Sequence, residues 1–368
     1  MKNPLLLVAC TILALAVLPA TAAPPDTTVT ILGGKFYING RPTLEGKLWR
    51  GHSLEGLLPN SRMVQGIFDD LNPETVKLWA YPDTKQWDAD RNTREFVAAM
   101  KDWRRHGLLA ITLNLQGGSP QGYSKDQPWE NSAFDGTGAL RPAYLTRLES
   151  IVDEADRLGM VVILGYFYFG QDERIQDEAA VIRAVDNATD WVLNKKAGNI
   201  LIEINNECNI RYDHEILQPE RVHELITRVQ MRSRDAGHPL LVSTSYGGGT
   251  IPGAKVVEVS DFILLHGNGV AKPEGITSMA TRTRAVETYH GQPLVNNEDD
   301  HYDFEKESNN FIAATAAGVS WGYFDFRKAN EPFETGFQSV PVDWTISTDR
   351  KKGFFRLLAE MSGIELEK

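Results

Sequence analysis

Two short segments carry the residue types that acid–base chemistry needs. Leu201-Ile202-Glu203-Ile204-Asn205-Asn206-Glu207 is an apolar strand pattern that runs out into polar residues, and Leu294-Val295-Asn296-Asn297-Glu298-Asp299-Asp300 repeats it further along. A buried parallel strand with polar residues at its C-terminal end is how an α/β barrel presents a catalytic group. Two carboxyl groups facing each other there suit glycosidic bond cleavage: one protonates the leaving oxygen, the other attacks the anomeric carbon or activates water. Asn206, beside Glu207, is placed to hold a sugar 2-hydroxyl, and Asn297 stands in the same relation to Glu298.

Rings that could stack a sugar are spread along the chain. Gly165-Tyr166-Phe167-Tyr168-Phe169-Gly170 alternates at period two, so half its rings pack under helices and half face the other way. Trp79, Tyr81, Trp87, Trp129, Tyr246 and Trp321 are further candidates. Other chemistries fail on spacing. His214-Glu215 and His223-Glu224 lack the second histidine of a metallopeptidase helix, and no His-x-His occurs. Gly51-His52-Ser53-Leu54-Glu55-Gly56 puts its second glycine one place late for a serine-hydrolase elbow. No dinucleotide or phosphate-loop fingerprint is complete, so neither cofactor nor metal is expected. Two other readings stay open: a non-catalytic carbohydrate-binding barrel, and a metal-dependent hydrolase built on Asp299, Asp300, His301 and His266.

The elements that must position these residues alternate. Short apolar runs recur at Leu44–Trp49, Val76–Tyr81, Leu108–Leu115, Met160–Phe169, Asn199–Asn205, Leu240–Ser245, Phe262–Leu265, Pro293–Asn296 and Val319–Phe326. Amphipathic helical patterns lie over Arg94–His106, Ala143–Leu158, Glu178–Asn194 and Pro219–Ala236, with Gly107, Gly159, Gly198 and Gly237 just past their ends. Strand, helix, glycine, strand predicts parallel strands with crossover helices. The fold expected is a single (β/α)8 barrel over residues 23–368, with a small N-terminal hairpin over Ile31–Ile38. Nine runs are one too many: Leu44–Trp49 lies outside the barrel, or Val76–Tyr81 or Leu108–Leu115 does not belong to it. The longest irregular stretch is Gln116 to Leu140, and a loop of that length is usually functional or mobile.

Taken together, these features resemble glycoside hydrolase clan A, the retaining (β/α)8 glycosidases that include cellulases, mannanases and β-galactosidases. The resemblance rests on Asn206-Glu207 ending strand four, Glu298 ending strand seven, His266 ending strand six, Trp321 on strand eight, and the opening segment Tyr37-Ile38-Asn39-Gly40-Arg41-Pro42-Thr43. It implies Glu207 as acid/base and Glu298 as nucleophile in a double displacement, with a raised pKa at Glu207 and a lower one at Glu298. The chain departs from the cellulase-like branch at Cys208, where that branch has proline, and at Asn268, where it places tyrosine.

The 368 residues are 42% hydrophobic and 24% charged, with formal net charge −11, a sign that excludes a phosphate-binding surface for nucleic acid. The partner expected is a poly- or oligosaccharide. Lys2, the apolar Leu5–Leu18 and Ala20-Thr21-Ala22 read as a signal peptide over residues 1–22, which predicts a secreted or periplasmic protein without membrane insertion after cleavage. A lipid anchor at Cys10 would leave too short an apolar region before the cut. Cys208 would then stand alone, with no internal disulfide.

Overall fold

The computed structural model describes residues 26–366; the expected signal peptide and Cys10 lie outside the described residues. Eight parallel strands form the sheet: β1 (Asn60–Arg62), β2 (Ala110–Asn114), β3 (Val161–Tyr168), β4 (Ile200–Asn206), β5 (Leu241–Ser243), β6 (Ile263–His266), β7 (Leu294–Asp299) and β8 (Val319–Tyr323). Each is followed by a helix: α1 (Ala89–Arg105), α2 (Pro142–Leu158), α3 (Glu178–Lys195), α4 (Val222–Asp235), α5 (Ala254–Val259), α6 (Pro273–Arg284), α7 (Asn310–Ala316) and α8 (Asp349–Ser362). Neighbouring strands pair in chain order, and β8 pairs back onto β1 through Gly322 and Asn60. This is the expected (β/α)8 barrel. Between β5 and β6 the ladder is replaced by Asp261, whose N–H donates to Val242 O at 3.0 Å and whose carboxylate accepts from Val242 N at 2.8 Å.

Alternation along the strands sorts the side chains. Ile200, Ile202 and Ile204 face the helices in the larger core, while Leu201 faces the barrel axis with Leu58, Ala110, Val161, Ile163, Leu264 and Val295. The expected hairpin is present, Val29–Leu32 pairing antiparallel with Lys35–Ile38, and its turn residues Gly33 and Gly34 take φ of +57° and +73°. It closes the lower end of the barrel: Phe36 is fully buried, edge-on to Phe262 at 6.2 Å.

Seven of the nine apolar runs became β2 to β8. Leu44–Trp49 lies outside, its last two residues pairing with His52–Ser53, and Val76–Tyr81 holds a 3-10 turn over Val76–Trp79. The strand missed is β1, because Asn60, Ser61 and Arg62 are all polar yet all buried. At the end of α3 the left-handed cap is Lys196, φ 55°, rather than Gly198. Among the described residues no helix is long and apolar enough to cross a membrane, and the thiol of Cys208 is free and buried.

Candidate active site

The upper half of the barrel axis is polar. By strand parity Arg62 of β1, Glu203 of β4 and His266 of β6 point inward, and the guanidinium of Arg62 organises them. Its Nε lies 2.7 Å from Glu298 Oε2, its Nη2 donates to Asn206 Oδ1 at 2.6 Å, and its Nη1 is 3.9 Å from Glu203 Oε2. Burial works against the guanidinium charge, but Glu298 and Glu203 outweigh it and raise the Arg62 pKa. His266 Nδ1 lies 2.9 Å from Glu207 Oε1 and 3.5 Å from Glu298 Oε2, bridging the two carboxylates. Atoms of Glu207, His266 and Glu298 all lie within 4.8 Å of one another. Glu207 ends its strand with φ 52°, a left-handed backbone that costs about 1 kcal/mol or more for a residue with a Cβ. Its N–H donates to Ser245 Oγ at 2.9 Å. Asn268 Nδ2 donates to Glu298 Oε1.

Burial pushes the Glu207 carboxyl up, but the His266 hydrogen bond and charge, Arg62 and the Gly248 N–H outweigh it and hold it below the usual range. At Glu298 burial prevails over Arg62 and His266, and the carboxyl is raised. Burial alone would lower His266; Glu298 and Glu207 pull it above its ordinary value, favouring the imidazolium. The split between the carboxyls therefore runs opposite to the expected one, because Glu298 is the more deeply buried of the two and His266 donates to Glu207.

The other expected residues lie as follows. Asn206 and His266 are in this cluster. Asn297 is fully buried, and its amide has no hydrogen-bond partner. Trp321 faces outward: its Nε1 donates to Asp299 Oδ2 at 2.9 Å and its ring packs edge-on to Phe311. Parity explains this, since Ser320 and Gly322 take the axial positions of β8. Trp79 is buried against Asp70 and Trp129, Tyr166 reaches Thr189 on α3, and Tyr246 packs beside Cys208. None of these four lines the cavity of about 260 Å³ around Glu207 and Glu298. The rings that do are Tyr123, Tyr168, Phe169 and Phe324. Asp299 is held by His301, Asn310 and Trp321, which makes it a buried anchor for its neighbours. Arg62 escaped notice in the sequence. Its signal is a lone charge between Leu57-Leu58-Pro59 and Met63-Val64, where a solvated residue would be out of place.

The barrel is similar in fold to solved glycoside hydrolase structures, several of them of family 5. A family 5 glycoside hydrolase from Bacteroides vulgatus superposes with TM-score 0.53 at 13% identity, covering 92% of this chain and 72% of that one. An endo-1,4-beta-mannanase from Rhizomucor miehei gives 0.54 at 11%, covering 92% and 100%. A broad specificity endoglucanase from Bacteroides salanitronis gives 0.53 at 11%, covering 83% and 93%. The chain spans 61% of another Bacteroides vulgatus structure, one assigned to the glycoside hydrolases. No family model and no curated protein matches the sequence.

Proposed function

We propose that this protein is an exported, retaining glycoside hydrolase that cleaves β-glycosidic bonds in a poly- or oligosaccharide. The observation that carries the reading is the cluster of Glu207, His266 and Glu298 within 4.8 Å at the C-terminal end of the barrel. Both carboxylates reach the same imidazole nitrogen, Glu207 Oε1 at 2.9 Å and Glu298 Oε2 at 3.5 Å from His266 Nδ1, which suits the close pair that double displacement uses. Arg62, its Nε 2.7 Å from Oε2, orients Glu298 and favours its charged form for attack on the anomeric carbon. A sugar seated against Glu207, whose side chain is 13% exposed, removes its remaining water and raises its pKa. His266 Nδ1 then passes its proton to Glu207, which delivers it to the leaving oxygen. Once Glu298 is a glycosyl ester its negative charge is gone, and Glu207, again ionised, takes a proton from water as that water attacks the anomeric carbon and releases the Glu298 carboxylate. The non-catalytic alternative predicts binding without release. The metal reading is disfavoured because its four residues do not converge: Asp299, Asp300 and His301 form one group, while His266 stands in another with Glu207 and Glu298.

The test is trapping. Incubation with 2-deoxy-2-fluoro-β-glucosyl and -mannosyl fluorides should add one sugar mass to the peptide bearing Glu298 and to no other. Glu298→Gln should abolish both labelling and turnover with an unchanged circular dichroism spectrum. A Glu298→Gln variant that retains full turnover overturns the assignment.

A further inference from the structure

The residues between β2 and α2 (116–140) form a strap across the barrel mouth, and its anchors are unevenly distributed. Gly118 O accepts from Gln65 of the β1 loop at 3.1 Å, and Ser119 O accepts from Gln338 of the β8 loop at 3.0 Å. Pro120 O accepts from Val340 N at 2.8 Å, Tyr123 Oη donates to Asp300 after β7 at 3.1 Å, and Gln127 donates to Phe169 O after β3 at 3.0 Å. The ring of Tyr123 also packs edge-on to Phe324 and Phe326. Among the described residues no hydrogen bond from the strap reaches the loops after β4, β5 or β6. The strap is thus tied down over β7, β8, β1, β2 and β3, and the side containing Glu207 carries no such anchor.

Resting on the proposed glycosidase reading, we infer that the enzyme is exo-acting and removes single sugars from the non-reducing end. The acid must stand beside the leaving oxygen, so the leaving portion of the chain lies over the side with Glu207. The sugar being transferred to Glu298 lies on the other side, under the strap. A polymer continuing beyond that sugar would have to pass through Tyr123 and the segment braced against Gln338 and Val340. The cavity of about 260 Å³ has room for a terminal sugar there, with Ser119, Gly122 and Tyr123 of the strap in its lining. Five hydrogen bonds to four other loops make the strap a fixed wall, which sets the site apart from an open groove that binds mid-chain.

The experiment uses the full chain and hexaoses of β-1,4-glucose, β-1,4-mannose, β-1,4-xylose and β-1,3-glucose, each carrying a fluorophore at the reducing end. The expected first product is the labelled pentaose, followed by the tetraose, as the ladder shortens by one unit at a time. A 4,6-benzylidene block on the non-reducing sugar should slow cleavage about 100-fold or more. Tyr123→Ala and, separately, replacement of residues 120–126 by two glycines should admit internal cleavage, seen as labelled trimers in the first tenth of conversion. Labelled dimers and trimers from the unmodified enzyme, or indifference to the block, overturn the inference and leave the glycosidase reading intact. Absence of any cleavage across the four hexaoses overturns both.

Discussion

Replacing Arg62 by methionine tests whether the buried charge cluster is held together by one guanidinium. The side chain is 2% exposed, and its removal strands Glu298 and Glu203, which are 7% and 0% exposed, beside one another with only His266 and neutral donors left. Breaking a buried pair from one side costs about 3–5 kcal/mol, because the remaining charge keeps its desolvation penalty. At about 2 °C per kcal/mol for a domain of this size, the melting temperature should fall by roughly 6–10 °C. The loss should depend on pH. Without Arg62 the Glu298 carboxyl, already above its ordinary value, rises further in the folded state. The folded protein then holds a proton that the unfolded chain releases, so the variant loses stability as pH rises through that window. The gap from the parent protein should be smaller near pH 5 than near pH 8 by calorimetry. The decisive comparison is Arg62→Met in a Glu298→Gln background, where the charge to be stranded is gone and the cost should drop by about 2 kcal/mol or more. An equal cost in both backgrounds refutes the argument and reduces Arg62 to a packing residue.

Further expectations follow from the same structure. Glu207→Gln should lower kcat about 10²- to 10⁴-fold on substrates with alkyl leaving groups and far less on aryl glycosides, which need little protonation; equal losses on both would remove Glu207 from the acid role. Burial pushes the Asp172 carboxyl up to about 6 from 3.8, so the folded state binds the extra proton and this residue's contribution falls as pH rises from about 4 to 6. Asp172→Asn keeps an acceptor for Asp213 N, now at 2.9 Å, and should gain up to about 3 kcal/mol at pH 7 and nothing at pH 3, by urea titration at the two pH values. Trp321→Phe should cost about 1–3 kcal/mol, since Asp299 loses a donor, while leaving KM unchanged; Phe324→Ala should raise KM with a smaller change in Tm. The opposite pattern would return Trp321 to the sugar site.

Burial direction divides what was legible from what was not. The sequence by itself determined the barrel, because a parallel strand covered on both faces must be continuously apolar, as Val161–Leu164 and Ile200–Ile202 are, and each crossover helix must show one apolar stripe. It also marked Glu207 and Glu298, since a carboxylate at the end of an apolar run has little reason to be there except chemistry. It could not mark β1, whose Asn60, Ser61 and Arg62 each hydrogen-bond to a strand far along the chain. It could not tell which aromatic rings face the cavity: Trp321 and Phe324 lie three residues apart on one segment, and strand parity together with the bend after Tyr323 sends one to Asp299 and the other to the cleft. Nor could it set the protonation of the carboxylates, because that depends on where His266 and Arg62 stand in space. Periodicity is a property of neighbours in sequence and can be read there. Charge coupling decays with distance through the folded interior, and only the tertiary structure brings residues 62, 207, 266 and 298 within its range.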